Sequence, residues 1–388
     1  MRMKVLMIGQ LPVEAGGTYT NGVCNVVYEL SKCAPKDIEL VVYATNMKEK
    51  KAYSTNNCLY RGTKLRPFML LLHIFSHPLM SLREWRYSIK YCRMSPFRLE
   101  CYRDNIERLI IEETPDIIHC MNLMQMHSTH YANARYGIPI ILTLHGCDTS
   151  KDGLDAAVIH MSDYVTGLTP RTLKEISTHG INKDRVFMVP NGTDTSKFYF
   201  SQLERTKLRS VLGISDETTL LITIGSLCHR KGQYSFLKVI KDFPNEYNFL
   251  YLIIGNGPDE NIINSYIRDN NLDNRVRVLG YVNNMELYRY HSAADVYVHS
   301  SRSEGQALSE VEAYATDLKI AVNNDVKDTV ITDITDINDY FLFDIDNFDK
   351  SAFIKWSLQH KNDRKTKHLY DWKEIFKMYG EIYIKIAK

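Results

Sequence analysis

Short apolar runs recur along this chain, and stretches of helical period separate them. The first half contains six such runs, at 4–9, 38–45, 116–120, 138–146, 163–169 and 185–190. The second half contains five, at 220–227, 249–257, 275–282, 295–301 and 318–324. The runs are apolar throughout rather than at alternate positions, as is typical of strands buried on both faces of a parallel sheet. The pattern predicts an α/β protein with two doubly wound, Rossmann-like domains in tandem.

Length and turn chemistry place the junction between these domains. The 388 residues, 44% of them hydrophobic, are sufficient for two cores. A strong turn signal, Pro190-Asn191-Gly192, follows the sixth run. We therefore expect a first domain over 1–195 and a second over 196–371. Residues 372–388 have apolar side chains at helical spacing and predict a final helix, which could pack on either domain.

Composition excludes several classes of protein. Lysine and arginine total 48 against 46 aspartates and glutamates, so the net charge of +2 gives no general case for binding nucleic acid. The eight cysteines include no C-x-x-C pair and fit neither a disulfide framework nor a zinc site, so we expect reduced thiols. The first apolar run is short and no cleavage site of small residues follows it, so we expect a cytoplasmic protein.

A basic segment interrupts the first domain between Arg61 and Arg108. It contains ten lysines or arginines, including Arg83 and Arg86, and four acidic residues. Its apolar stretch, 66–80, is shorter than the ~20 residues that a membrane-spanning helix requires. One interpretation is an interfacial segment that lies on anionic lipid. The other is a pair of helices that cover the sheet and expose a basic side to solvent.

Parallel sheets bind ligands outside the carboxyl ends of their strands, so residues directly after the apolar runs are candidates for a site. Gly16 and Gly17 follow the first run, but the loop is not G-x-G-x-x-G, which argues against a dinucleotide cofactor. This loop could present backbone N–H groups to an anion, or it could need glycine only for its backbone angles. His145 and Asp148 follow the fourth run, and the histidine could donate to a substrate or could be structural.

The second half carries two further candidate groups. Arg230 and Lys231 lie between the first strand and a helix, where cations suit a diphosphate, although basic residues are common in loops. Glu304 and Glu312 lie in SEGQALSEVEAY; within one helix they would be ~12 Å apart, too far for the ~5–5.5 Å of a retaining glycosidase pair. They could instead hold separate hydroxyl groups of an extended ligand, with the N–H groups of 306–309 facing an anion, or form a solvated helix face.

Taken together and in this order, these segments resemble the retaining glycosyltransferases of family 4, which have the GT-B fold of two Rossmann-like domains facing each other across a cleft. The resemblance covers nearly the whole chain. It rests on the glycine-rich loop and on LHGCD, VPNGTDTSKF, GSLCHRKG, LIIGNGP and SEGQALSEVEAYA. In that fold a final helix crosses back onto the first domain, which the resemblance implies for 372–388.

The resemblance implies a role for each candidate residue. Glu304 would contact the donor sugar, Glu312 the ribose of the sugar nucleotide, and Lys231 the diphosphate, while His145 would approach the donor sugar. Gly16 and Gly17 would belong to a loop that closes over phosphate and acceptor. The remaining donor-binding candidates are Arg230, Gly257, Gly305, Gln306, Ala307 and Leu308, and the acceptor-side candidates are Asp148, Arg83 and Arg86.

The resemblance also implies partners and mechanism. The donor would be a nucleoside-diphosphate sugar, and the acceptor would be a glycan or lipid-linked glycan that lies against the first domain. A lipid-linked acceptor at the inner membrane face would account for the basic and apolar character of 61–108. Transfer would retain anomeric configuration, with the leaving diphosphate taking the acceptor proton. The resemblance implies no metal and no cofactor, because fixed cations and backbone donors would take the place of a metal ion.

Four positions depart from the family pattern. Ser226 stands where the family has an arginine, which Arg230 could replace, and Gln306 stands for phenylalanine. Asp317 and Lys319 stand for glycine and proline. Two alternatives therefore stay open beside the enzyme: an inactive sugar-nucleotide-binding scaffold, and an NAD-linked dehydrogenase or sugar-nucleotide epimerase of similar architecture.

Overall fold

The chain divides into two compact units. The computed structural model describes residues 2–48, 53–55, 57–65, 75, 96–146, 154–330, 339–359 and 364–387. The first unit comprises Met1–Pro190 together with Trp372–Lys388, and the second comprises Asn191–Asp371. The division falls inside the predicted turn, between Pro190 and Asn191, rather than after residue 195.

An eight-stranded sheet forms the centre of the described part of the first unit. Its strands are β1 (Met3–Gly9), β2 (Ile38–Lys48), β3 (Tyr53–Thr55), β4 (Cys58–Thr63), β5 (Ile117–Cys120), β6 (Ile140–Leu144), β7 (Tyr164–Gly167) and β8 (Val186–Met188). The order is β3-β4-β2-β1-β5-β6-β7-β8, with all neighbours parallel except β3 and β4. The helices are α1 (Gly22–Lys32), α2 (Pro96–Glu113), α3 (Leu123–Asn133), α4 (Leu154–Ile159) and α5 (Pro170–Thr178).

The second unit has a six-stranded parallel sheet in its described residues. Its strands are β9 (Thr219–Ile224), β10 (Phe249–Ile254), β11 (Val276–Gly280), β12 (Val296–His299), β13 (Lys319–Asn323) and β14 (Tyr340–Phe343). The order β11-β10-β9-β12-β13-β14 is that of a doubly wound fold, in which the winding reverses between β9 and β12. The helices are α6 (Gln202–Leu212), α7 (Gln233–Ile240), α8 (Glu260–Asp269), α9 (Leu287–Ala293), α10 (Leu308–Ala315) and α11 (Lys350–Ser357), and α12 (Trp372–Ile386) belongs to the first unit.

Burial on both faces explains the continuous apolar runs. Every residue of Val5–Gly9, Thr219–Ile224 and Phe249–Ile254 is buried, so alternate side chains enter cores on opposite sides of each sheet. The two-domain α/β prediction is confirmed. Local signals then set the helix ends: Ser201 accepts a hydrogen bond from the Glu204 N–H (3.2 Å) at the start of α6, and Gly213 ends it at φ +66°.

The basic segment is partly described: it begins on β4 and ends within α2, a helix that packs against the sheet, so this end agrees with the helical interpretation and the membrane interpretation stays a prediction. Arg61 lies on β4, where its guanidinium contacts Glu112 (2.7 Å) and Glu113 (2.9 Å) of α2. Arg108, on α2, also pairs with Glu112 (3.1 Å). Two of the ten basic residues are thus neutralised by acids just beyond the counted segment. Arg83 and Arg86 lie outside the described residues, and no helix in the described part of the chain has the length and apolarity to cross a membrane.

The last helix, α12, is attached to the first unit by a buried polar chain. The Tyr383 hydroxyl contacts Nδ1 of His119 on β5 (2.7 Å), and Nε2 of His119 contacts the Thr143 hydroxyl on β6 (2.7 Å). Thr143 continues to Thr166 on β7 (2.6 Å). Burial, with a smaller contribution from His145, lowers the pKa of His119 to about 3, so its ring is neutral at physiological pH.

Replacement of Tyr383 by phenylalanine is expected to destabilise the first unit. The variant leaves Nδ1 of buried His119 without its hydroxyl partner, at a cost of about 1–3 kcal/mol in free energy of unfolding. Tyr379→Phe is the matched control, because its hydroxyl lies 3.4 Å from Thr143 and makes a weaker contact. Urea unfolding of the whole chain measures both. Equal stability of Tyr383→Phe and wild type would show that the polar chain does not attach α12.

Candidate functional site

Most of the predicted residues of the second unit lie at the start of α10 and in the loops that follow β9 and β12. These are the neighbouring strands between which the winding of the sheet reverses, the position where open α/β sheets bind ligands. The β9 loop forms a 3₁₀ turn, His229–Lys231, and then enters α7 through Gly232 at φ +71°. The β12 loop runs from Ser300 to Ala307, the residue before α10.

Close backbone contact fixes these two loops against each other. A Cβ at Gly232 would lie 2.0 Å from the Ser300 carbonyl oxygen, so only glycine fits this position. The Ser300 hydroxyl donates to the Lys231 carbonyl (2.9 Å), and the Arg302 N–H donates to the Arg230 carbonyl (2.8 Å). The main chain that carries the two cations is therefore held by the loop that carries Glu304.

The carboxylate of Glu304 brings the predicted charged residues together. Its Oε1 lies 2.6 Å from Nζ of Lys231 and 2.9 Å from Nη1 of Arg230, and it accepts from the Ser301 hydroxyl at 3.1 Å. Burial acts to raise the pKa of Glu304, but the charge of Lys231, its hydrogen bond and the charge of Arg230 outweigh burial, so the pKa is lowered. Glu304 therefore stays ionised and can accept hydrogen bonds from a ligand's hydroxyl groups.

The start of α10 adds backbone donors to this region. Ala307 occupies the N-cap position and has no side-chain acceptor, so no side-chain hydrogen bond caps the helix among the residues described. Uncapped N–H groups and the positive end of the helix dipole favour an anion. Gly305, Ala307 and Leu308 thus follow Glu304 directly at a helix start, as the sequence predicted.

Glu312 lies inside α10 rather than on a solvated surface. It is 8% exposed, and the neighbouring acid Glu310 is 1% exposed, so the interpretation of SEGQALSEVEAY as a solvated helix face is wrong. Oε2 of Glu312 lies 3.5 Å from Nε2 of His291. The His291 ring is itself fully buried, between Phe198 and Tyr297.

Gln306 and Gly257 make structural contacts. Oε1 of Gln306 accepts from the Asn191 N–H (2.6 Å), and the Gln306 carbonyl accepts from the Asn191 side chain (3.2 Å). The Gln306 side chain therefore ties α10 to the first residue of the unit. A Cβ at Gly257 would lie 2.3 Å from the Leu227 carbonyl oxygen, so this glycine allows the β10 loop to contact the β9 loop.

The sequence reasoning missed His299, the last residue of β12. It is 2% exposed, and burial and the nearby cations Lys231 and Arg230 lower its pKa to about 4, although Glu304 opposes them. A neutral imidazole therefore lies beneath the charged cluster. Its position as the only ionisable side chain at the carboxyl end of the apolar run DVYVHSS could have identified it.

The candidate residues described in the first unit follow β1 and β6. Gly16 has φ +91°, and a Cβ at Gly17 would lie 1.8 Å from the Leu11 carbonyl oxygen, so both glycines satisfy backbone requirements of the β1 loop. The Asn46 side chain holds the same loop through the Leu11 N–H (2.9 Å) and carbonyl (2.8 Å). These contacts agree with the conformational interpretation and leave the loop's ligand role a prediction.

His145 directly follows β6 and presents an unsatisfied nitrogen. Burial lowers its pKa to about 4, against the opposing effect of a hydrogen bond to the Met121 backbone. Its Nε2 is buried and has no hydrogen-bond partner among the described residues. A neutral ring with one open nitrogen can bind a ligand group. Asp148 lies outside the described residues, as do Arg83 and Arg86.

Two of the residues that differ from the family pattern, Asp317 and Lys319, make structural contacts that do not involve the charged cluster. Asp317 adopts φ +56°, the left-handed conformation that glycine provides, and its carboxylate contacts the Lys365 N–H (2.9 Å) and Nζ of Lys367 (3.1 Å). Lys319 extends from β13 to the carbonyls of Trp356 and Gln359 at the end of α11. Both substitutions therefore stabilise the packing of the second unit.

Asp317 allows a matched test of this explanation. Asp317→Gly keeps the left-handed backbone but loses the carboxylate contacts, whereas Asp317→Ala loses both. We expect Ala to be less stable than Gly by about 1 kcal/mol in free energy of unfolding, and both to be less stable than wild type. Urea unfolding measures the order. If Ala were as stable as Gly, the backbone conformation would not account for the choice of residue.

Cysteines and acidic clusters show no metal site in the described part of the chain. The cysteines described there form no disulfide bonds with one another: Cys24, Cys33, Cys58, Cys101, Cys120 and Cys228. No group of three or more histidines, cysteines, aspartates or glutamates among these residues is placed to hold a metal ion.

Two family models, each matching a different part of the chain, both describe glycosyltransferases. Residues 20–197 match the family described as "Glycosyltransferase Family 4", and residues 204–330 match "Glycosyl transferases group 1". The alpha-monoglucosyldiacylglycerol synthase of Acholeplasma laidlawii is 29% identical over 151 residues, which is 38% of this chain and 38% of that protein. The chain thus spans well under half the length of that relative.

Solved structures share the fold over nearly the full length. Sucrose-phosphate synthase from Thermosynechococcus elongatus is 15% identical, with a TM-score of 0.73 and coverage of 99% of each chain. HepE from Anabaena in complex with UDP-glucose is 14% identical, with a TM-score of 0.66 and coverage of 99% of this chain and 100% of that one. At this level of identity the likeness concerns the fold.

Proposed function

Since this chain belongs to the glycosyltransferases of family 4, with the GT-B type of fold, we propose that it transfers a sugar, with retention, from a nucleoside-diphosphate donor to a glycan or lipid-linked glycan. The observation that carries the proposal is the convergence of Lys231 and Arg230 on Glu304 where the winding of the second sheet reverses. The family match favours glycosyl transfer over the dehydrogenase or epimerase alternative.

The charged cluster suits the two halves of such a donor. Lys231 and the start of α10 supply a cation and backbone N–H groups for the diphosphate. Glu304, ionised and 8% exposed, accepts hydrogen bonds from sugar hydroxyl groups. Glu312, which lies inside α10 about one turn after the helix begins, is the candidate for binding the ribose hydroxyl groups. The complex of HepE with UDP-glucose, a protein with the same fold, supports this class of donor.

The proposed reaction breaks the bond between the anomeric carbon and the diphosphate oxygen and forms a bond from that carbon to the acceptor oxygen. Attack occurs on the face from which the diphosphate leaves, so configuration is retained, and the diphosphate takes the acceptor's proton. Lys231 stabilises the negative charge that develops on the leaving group, the usual largest contribution in such catalysis. Glu304 is too acidic to serve as a proton donor, and His145, neutral with an open Nε2, binds the sugar.

Fixed cations support a reaction that needs no divalent metal. Lys231 is held within 2.6 Å of Glu304, and its carbonyl is held by Ser300, so the ammonium group is positioned before a ligand binds. A preorganised cation stabilises a leaving diphosphate as a bound metal ion would. We therefore expect activity to persist in EDTA.

A lipid-linked acceptor is the preferred class. The relative from Acholeplasma laidlawii is named for a glucosyldiacylglycerol product, and the basic segment 61–108 suits an anionic membrane surface. The ion pairs of Arg61 and Arg108 remove these two residues from that surface. We accordingly propose a cytoplasmic enzyme that binds peripherally at the inner face of the membrane and contributes to cell-surface glycan or glycolipid synthesis.

A thermal-shift screen with UDP-, GDP-, ADP- and CDP-sugars in EDTA tests the function. A donor at 100 times its dissociation constant stabilises the folded state by about 2.7 kcal/mol, so the correct donor raises the melting temperature. Hydrolysis of that donor, or its transfer to a lipid acceptor, then separates an enzyme from an inactive scaffold. No shift with any of the four would contradict the proposal, whereas binding without turnover would favour the scaffold.

Glu304→Gln separates phosphate binding from sugar transfer. The variant removes the negative charge that Lys231 and Arg230 now neutralise, so free nucleoside diphosphate should bind about tenfold more tightly. Turnover should fall, because the amide is a weaker acceptor for sugar hydroxyls. Calorimetry and a transfer assay measure the two effects, with exposed Glu246→Gln as the control for net charge. Weaker diphosphate binding by Glu304→Gln would argue against this assignment.

A further inference from the structure

The net charge of the cluster depends on Arg230. Lys231 and Glu304 cancel each other, so without Arg230 a diphosphate would meet a site with no net positive charge. Ser226, where family members have an arginine, is exposed and uncharged, and its carbonyl accepts a hydrogen bond from the Gln233 side chain (3.0 Å). The β9 loop therefore lacks a cation at the position where the family pattern has the arginine, and carries Arg230 and Lys231 further along.

The main chain of Arg230 is fixed, but its side chain is accessible. Its carbonyl is held by the Arg302 N–H (2.8 Å), and its Nη1 contacts the Ser303 carbonyl (2.8 Å) as well as Glu304. The Arg230 side chain is 52% exposed, against 17% for Lys231. An arginine anchored through its backbone and open to solvent can exchange a carboxylate partner for a phosphate without any change in the loop.

The arrangement also explains how the exchange would proceed. Arg230 and Lys231 share a single oxygen, Oε1 of Glu304. A sugar hydroxyl that donates to this oxygen weakens both ion pairs, and a diphosphate then offers stronger acceptors. A guanidinium can bind phosphate through two parallel hydrogen bonds, which an ammonium group cannot do.

We propose that Arg230 is the second phosphate-binding cation of this chain and takes the role of the arginine that Ser226 replaces. When the donor binds, the Arg230 guanidinium would leave Glu304 and bind the diphosphate. The inference rests on the proposed function and makes it more specific. Because Lys231 is confined beside Glu304, Arg230 is assigned to the phosphate that a nucleoside diphosphate has and a monophosphate lacks.

The experiment compares nucleoside diphosphates and monophosphates. Calorimetry measures the binding of UDP, GDP, ADP and CDP, and of the corresponding monophosphates, to wild type and Arg230→Gln. We expect Arg230→Gln to weaken binding of the preferred diphosphate about 10- to 100-fold and that of its monophosphate much less. Lys241→Gln, which removes an exposed positive charge elsewhere in the unit, should leave both affinities nearly unchanged.

Two further variants distinguish a direct role from a folding defect. In Arg230→Gln, the added substitution Ser226→Arg should restore most of the lost diphosphate affinity, because it returns a cation to the β9 loop. Arg230→Lys keeps the charge but not the two parallel hydrogen bonds, so its affinity should be intermediate. The melting temperature without ligand reports whether each variant folds.

The possible results are distinct. Loss of discrimination between diphosphate and monophosphate, with rescue by Ser226→Arg, supports the inference. Wild-type diphosphate affinity in Arg230→Gln, or an equal loss for monophosphate and diphosphate, overturns it and leaves the proposed function intact. If the wild-type chain binds none of the four diphosphates, the proposed function fails and this inference fails with it.

Discussion

The pairing of Glu304 with Lys231 and Arg230 is the interaction on which the candidate site depends. It links two loops that are about 70 residues apart in sequence, and it does so where a doubly wound sheet leaves space for a ligand. Burial alone would favour a protonated carboxylate, and the adjacent cations keep it charged. The cluster therefore places an acceptor for hydroxyl groups, Glu304, within hydrogen-bond distance of two donors for phosphate, Lys231 and Arg230.

Two candidate histidines, one in each unit, are neutral. His299 beneath the cluster and His145 after β6 both have pKa values lowered to about 4, mainly by burial. Neither adds a positive charge at physiological pH, so the anion-binding capacity of the second unit rests on Lys231, Arg230 and the start of α10. The departures at Asp317 and Lys319 are accommodated by backbone and capping contacts that do not involve these groups.

The sequence predicted the parts of the structure that burial imposes on consecutive residues. Strands such as β9 and β10 are buried throughout, and a continuous apolar run records that directly. Strands β4 and β14 were missed because their residues are only partly buried and their patterns are short. For the site, the loops could be predicted from strand ends, but contacts such as Arg230 with Ser303 join distant segments and have no local pattern. The burial of Glu310 and Glu312 was also beyond the sequence, because acidic residues in a helix usually face solvent.

The glycine contacts of the site also determine where it can change during evolution. Gly232 and Gly257 each lie too close to a neighbouring carbonyl to accept any side chain. These two positions around the cluster therefore cannot be substituted without a shift of the main chain. The side chains of Ser226 and His229, by contrast, are exposed on the β9 loop, where substitution disturbs little packing. New substrate preferences can therefore arise by exchange of side chains on an unchanged framework, and relocation of a cation within the β9 loop is one such exchange.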